Sequence, residues 1–145
     1  MIDKILVVCT GNICRSPVAG ALLRKHLPDR QIETAGLGAL VGNGVHPEAC
    51  QLARQESLDV DNHAACQITS EMLQRADLVL VMSEAQRRMV GEISPVALGK
   101  TMLFGRWLEG GKGKEIPDPY RKSPEAFAHV HRLLVQAAEA WAARL

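Results

Sequence analysis

Eight residues near the N-terminus constrain this chain more than any others: Cys9-Thr10-Gly11-Asn12-Ile13-Cys14-Arg15-Ser16, set between the apolar run Ile5-Leu6-Val7-Val8 and Pro17. The order predicts a strand, a tight loop and a helix start, with a thiol at one end of the loop and a guanidinium at the other. A loop of this size can turn its backbone N–H groups inward and form a concave anion site. The helix that follows aims the positive end of its dipole at the same point. Such a position favours the thiolate of Cys9 over its thiol. Arg15 supplies a planar fork that matches two oxygens of a phosphate. The segment is suited to holding a phosphate dianion against a nucleophilic sulfur.

Beyond that loop, apolar runs alternate with helical patterns, which predicts βαβ units around a parallel sheet. The first strand spans Lys4 to Cys9 and carries no polar alternation, as expected of a strand covered on both faces. Ser16 can cap the next helix, with Pro17 at its first position. That helix buries Val18, Ala19, Leu22, Leu23 and Leu27 and ends near Pro28-Asp29. A second strand is expected over Gln31 to Ala35, then a glycine-rich loop from Gly36 to Gly44. Pro47 to Ser57 reads as a helix with Cys50, Leu52 and Ala53 inward. Ser70 to Ala76 reads as a short helix capped by Thr69 or Ser70. Leu78 to Met82 is the third strand, Glu84 to Ile93 a further helix, and Thr101 to Phe104 the fourth strand. Gly105 to Tyr120 is a long irregular segment of the kind that often carries function. A last helix starts at Ser123-Pro124, with the core stripe Phe127, Val130, Leu134, Ala137 and Trp141.

The 145 residues suit one domain over 1–145, and 47% apolar residues can fill its core. A net charge of +1 gives no bulk reason to seek nucleic acid or anionic lipid. No apolar run approaches the roughly 20 residues of a membrane span. The short apolar stretch after Met1-Ile2-Asp3-Lys4 is too brief for a signal-peptide core, so a cytoplasmic location is expected. The cysteines Cys9, Cys14, Cys50 and Cys66 are expected to be free in a reducing compartment. They lack a C-x2-C pair and no His pair has ligand spacing, so neither a metal nor a cofactor is expected.

The string Val8-Cys9-Thr10-Gly11-Asn12-Ile13-Cys14-Arg15-Ser16-Pro17, with Ile116-Pro117-Asp118-Pro119-Tyr120 before the last helix, resembles the low-molecular-weight protein tyrosine phosphatases. The resemblance extends over nearly the whole chain in strand and helix order. Gly36 to Gly42 and Ile116 to Ser123 look most like the bacterial branch, which is typically paired with tyrosine autokinases controlling capsule or exopolysaccharide export. The fold expected is α/β: a four-stranded parallel sheet, helices on both faces, and the phosphate loop after the first strand.

The resemblance implies a role for each matching residue. Cys9 would be the nucleophile, forming a phosphocysteine. Thr10, Gly11, Asn12, Ile13, Cys14, Arg15 and Ser16 would cradle the phosphate, with Arg15 clamping its equatorial oxygens. Asp118 would protonate the tyrosine leaving group, whose pKa lies near 10, and then activate water. The alternative for Asp118 is a turn aspartate before proline. Ser16 would bond the thiolate, cap the helix, or do both. Asn12 would pin the loop in a left-handed backbone conformation. His63 would partner Asn12 or be an ordinary satisfied histidine; the family pattern His-x-Ala-Arg-Gln reads His63-Ala64-Ala65-Cys66-Gln67 here. Cys14 would either form a protective disulfide with Cys9 or be a packed thiol. Leu40, where many relatives carry an aromatic, and Tyr120 would wall the cleft, and Arg121 would stand at its rim.

The substrate implied is a phosphotyrosine protein, a bacterial tyrosine autokinase in particular, hydrolysed by a monomer that phosphate and other oxyanions inhibit. Two rival functions use the same loop. An arsenate reductase needs a relay of further cysteines, but none follows Cys66. A non-catalytic phosphotyrosine-binding module would need no nucleophile or acid, yet both are present.

Overall fold

The computed structural model describes residues 1–145. Four strands, β1 (Lys4–Cys9), β2 (Gln31–Gly36), β3 (Leu78–Val81) and β4 (Thr101–Leu103), form one parallel sheet in the order β2-β1-β3-β4. β1 lies inside the sheet, with Lys4 to Cys9 beside Gln31 to Gly36 and Ile5 to Val7 beside Leu78 to Leu80.

Successive side chains of β1 feed two separate cores, because a strand alternates its faces. Ile5, Val7 and Cys9 join Val18, Leu22 and Leu23 of α1 (Arg15–His26), Ala49 and Ala53 of α2 (Pro47–Gln55) and the stripe from Phe127 to Trp141 of α5 (Pro124–Ala142). Leu6 and Val8 join Leu73 of α3 (Ser70–Arg75) and Val90 of α4 (Glu84–Ile93). Helices therefore cover both faces, which is why β3, and β1 after Lys4, are apolar throughout. β1 connects to neighbours on opposite sides, so the sheet has its switch point at the carboxyl end of β1, where open α/β sheets place ligands.

Several boundaries differ from expectation. α1 begins at Arg15 with Cys14 at its cap position and no side-chain cap, so Ser16 is not the cap and Pro17 is not the first helical residue. Pro17 is still tolerated, since the first four N–H groups of a helix lack intrahelical partners. α2 stops at Gln55, short of Ser57, whose φ of 60° ends the helix. Cys50 and Leu52 are only half buried, and Ala49 shares the inward face with Ala53. β3 stops before Met82, and a 3₁₀ segment, Pro95–Lys100, precedes β4. Thr69, Ser83 and Ser123 cap α3, α4 and α5 through their hydroxyls.

The segment after β4 has no helix or strand, yet it is anchored by buried Leu108 and Ile116. Trp107 lies between the guanidinium groups of Arg106 and Arg144, 4.6 and 4.3 Å from its ring centre. Its ring meets Trp141 edge-on at 5.6 Å, and Trp141 Nε1 donates to the Phe104 carbonyl at 2.9 Å.

Candidate active site

β1 ends at Cys9, and the next five residues fold into the loop that leads to α1. The turn needs one left-handed residue, which Asn12 supplies at φ 59°. Asn12 is fully buried, and its side chain is fully engaged. Its Nδ2 donates to Ser16 Oγ at 2.7 Å and to Thr34 Oγ1 at 3.1 Å, and its Oδ1 accepts from the Cys66 N–H at 2.9 Å. Its carbonyl lies 2.7 Å from His63 Nε2, which must carry the proton, since a carbonyl can only accept. His63 is thus the expected partner of Asn12. Cys66, standing where the family pattern has arginine, reaches the loop through its main chain, while its thiol donates to the Thr34 carbonyl at 3.2 Å.

The sulfur of Cys9 is 2% exposed as part of its residue and lies 3.0 Å from Ser16 Oγ and 3.5 Å from the Ser16 N–H, which donates to it. Ser16 Oγ already accepts from Asn12, so its own hydrogen is directed at the sulfur. This tertiary contact, rather than helix capping, is what the Ser16 side chain does.

Arg15 is buried, with Nη1 donating to the Ile116 carbonyl at 2.8 Å and Nη2 3.7 Å from Asp118 Oδ2. The other oxygen of Asp118 accepts from the Tyr120 N–H at 3.0 Å, a local turn that fixes the carboxylate. Cys9, Thr10, Gly11, Ile13, Cys14, Arg15, Gly38, Leu40, Asp118 and Tyr120 line one cavity of about 210 Å³. Leu40 and Tyr120 are 41% and 37% exposed at its mouth. Tyr120 has His46 against it, edge-on at 6.0 Å, and the Arg121 guanidinium over it at 5.4 Å. Arg121 at the rim is therefore spent partly on the Tyr120 ring.

Cys14 lines the same cavity but is held differently. Burial, then the nearby Asp118 carboxylate and Cys9, push its thiol up to about 12 against an ordinary 9.0, with Arg15 opposing. It stays a thiol at neutral pH, and no disulfide joins it to Cys9.

Three further residues hold the site, none singled out for it by the sequence. Thr34 on β2 receives Asn12. Gly36 lets β2 approach the loop: a Cβ there would stand 2.6 Å from the Thr10 carbonyl oxygen and 3.0 Å from Asn12 Cβ. Gln86 on α4 donates to Thr10 Oγ1 at 3.1 Å. Its signal in the sequence was Ser83-x-x-Gln86, the pattern of a helix capping box.

Residues 4–145 match the family model described as low molecular weight phosphotyrosine protein phosphatase. The low molecular weight protein-tyrosine-phosphatase Etp of Escherichia coli K12 is 47% identical over 143 residues, covering 99% of this chain and 95% of that protein. The crystal structure of the tyrosine phosphatase Wzb from Escherichia coli K30 in complex with sulphate has a TM-score of 0.95 at 47% identity and covers 99% of both chains. Vibrio vulnificus Wzb in complex with benzylphosphonate has a TM-score of 0.95 at 44% identity over 100% of both.

Proposed function

Because the chain belongs to the low molecular weight phosphotyrosine protein phosphatase family, we propose that residues 1–145 act as one catalytic domain in which Cys9, Arg15 and Asp118 hydrolyse protein phosphotyrosine. The observation that carries the reading is the convergence of a sulfur, a guanidinium and a carboxylate on one cavity at the end of β1.

Cys9 Sγ attacks phosphorus, forming the S–P bond as the P–O bond to tyrosine breaks. The buried Arg15 turns its fork to the equatorial oxygens, and the loop N–H groups and the α1 N-terminus take the remaining charge. Asp118 gives its proton to the departing phenolate, a contribution of roughly 10²–10⁴ in rate. The resulting carboxylate then takes a proton from water, which attacks phosphorus and breaks the S–P bond. Inorganic phosphate leaves, and the Ser16 hydroxyl stabilises the returning thiolate. Asn12 and His63 hold the loop shape through both steps, and Leu40 and Tyr120 flank the substrate ring.

The benzylphosphonate bound by the Vibrio vulnificus relative supports an aryl substrate for this cavity, and the sulphate in the Escherichia coli relative supports inhibition by oxyanions. No helix is long and apolar enough to cross a membrane. The likeness to the bacterial branch supports a tyrosine autokinase of capsule or exopolysaccharide export as the physiological substrate, met in the cytoplasm.

The test is hydrolysis of p-nitrophenyl phosphate and a phosphotyrosine peptide by the wild type, Cys9→Ser and Asp118→Ala. The reading requires phosphate on Cys9 after a cold acid quench, detected by mass spectrometry, and an inactive Cys9→Ser. Product formation without phosphorylated sulfur would refute it.

A further inference from the structure

Gln86 is a polar side chain only 5% exposed as a residue, in the first turn of α4, and the catalytic steps do not use it. Both ends of its amide are bonded. Oε1 accepts from the Met82 N–H at 2.8 Å, and Nε2 donates to Thr10 Oγ1 at 3.1 Å. The chain of bonds continues. The Met82 carbonyl accepts from the Ile116 N–H at 2.9 Å, and the Ile116 carbonyl accepts from Arg15 Nη1 at 2.8 Å. Thr10 opens the short loop and Arg15, the first residue of α1, follows it, so the bonds close a ring: Thr10, Gln86, Met82, Ile116, Arg15 and back through the loop backbone.

We propose that Gln86 is a positioning residue for the phosphatase reaction: it closes this ring and so fixes both ends of the phosphate loop relative to the segment that carries Asp118. The proposal rests on the catalytic reading of Cys9, Arg15 and Asp118. Helix capping explains neither half of the Gln86 amide. A capping box would turn its side-chain oxygen to the N–H of the cap residue, Ser83, but Oε1 takes the Met82 N–H, before the helix begins. Nε2 is sent away from the helix to a loop residue that lines the catalytic cavity. That donor also sets the sense of the Thr10 hydroxyl: its oxygen accepts from Gln86, leaving its hydrogen for another acceptor. A buried network in which every member is satisfied holds its parts in one arrangement, and small misplacements of reacting groups are costly in rate.

Thr10→Val removes the hydroxyl while keeping the side-chain shape, and leaves Gln86 Oε1 on the Met82 N–H. Gln86→Met removes both bonds of the amide without adding a charge. With p-nitrophenyl phosphate, each single variant should lose about tenfold in kcat, KM changing less. Each also leaves a buried polar group without its partner, so each should melt a few degrees earlier. The double variant should fall no further in kcat than the less active single, because both remove the same contact. Losses that multiply to about a hundredfold overturn the proposal, and so does Thr10→Val activity within twofold of wild type. Earlier melting of Gln86→Met with unchanged kcat would leave Gln86 a structural tie to Met82 and nothing more. Activity in Cys9→Ser, measured alongside, would sink the catalytic reading itself, a failure distinct from any Gln86 result.

Discussion

Arg15 Nη2 stands 3.7 Å from Asp118 Oδ2, a guanidinium whose side chain is 5% exposed facing a carboxylate whose side chain is 48% exposed. The distance is long for an ion pair, and the exposed partner is screened by water, so the contact itself adds little stability. Its meaning is positional: the residue that would clamp phosphate and the residue that would protonate the leaving group already face the same space.

Asp118→Ala should therefore fold normally and fail selectively. The rate on phosphotyrosine, or on aryl phosphates whose phenols have a pKa near 10, should drop roughly 10²–10⁴-fold. Esters of strongly acidic phenols need no proton and should lose far less. A series of aryl phosphates read as rate against leaving-group pKa checks this; equal losses across the series would remove the acid role.

Ser16→Ala deletes the hydroxyl 3.0 Å from the Cys9 sulfur. A hydrogen bond to a charged group contributes about 1.5–3 kcal/mol, which corresponds to roughly 10- to 100-fold in rate. The loss should fall mainly on breakdown of the phosphocysteine, where the sulfur is the leaving group. Rapid-quench kinetics should show more phosphorylated enzyme accumulating than in the wild type, with a larger burst of phenol.

Cys14 gives a pH-dependent prediction of definite sign. Its thiol is held up to about 12 in the folded protein, while the unfolded chain releases the proton near the ordinary 9.0. Below the ordinary value both states hold the proton and Cys14 contributes no pH dependence. As pH rises from there towards about 12, the unfolded state gains by ionising, and folded stability declines. Denaturant melts should show this alkaline loss in wild type and a shallower one in Cys14→Ala. At neutral pH iodoacetate should label Cys9 and spare Cys14, as peptide mapping would reveal.

Gly36→Ala places a methyl 2.6 Å from the Thr10 carbonyl and 3.1 Å from Ala39 Cα, all of it backbone that cannot rotate away. Overpacking of this kind costs about 1–3 kcal/mol, and here the strain enters the catalytic loop directly. Both the denaturation midpoint and kcat/KM should fall. Gly38→Ala, where a Cβ meets nothing within 4 Å, is the matched control for stability.

The loop, the placement of Asp118 beside it and the layered sheet were legible because each is carried by contiguous segments. Cys9 to Ser16 forms its own cradle, and the unbroken apolar β1 announces cover on both faces. Asn12 could be read from its tolerance of positive φ. Ser16 was read only in part: next to Pro17 it looks like a helix cap, but the sulfur of Cys9 and the amide of Asn12 compete for its hydroxyl and win. The bond from Gln86 to Thr10 was illegible, since a capping pattern is local and this contact spans two separate βα connections. Gly36 stood among the glycines of an apparent loop, and only the register of Gly36 beside Cys9 shows why it has no side chain. The Trp107 stack could not be read either, because Arg106 and Arg144 come together only when the far end of α5 docks.

The interior place of β1 also has a consequence for biosynthesis. On the ribosome the Cys9 thiol is made before Ile116, whose carbonyl anchors Arg15, and before Asp118. A chain cut before Ile116 leaves the Arg15 guanidinium untethered, places no carboxylate opposite the sulfur and lacks the α5 surface that buries α1. On the roles proposed for these residues, turnover waits for translation to pass through α5.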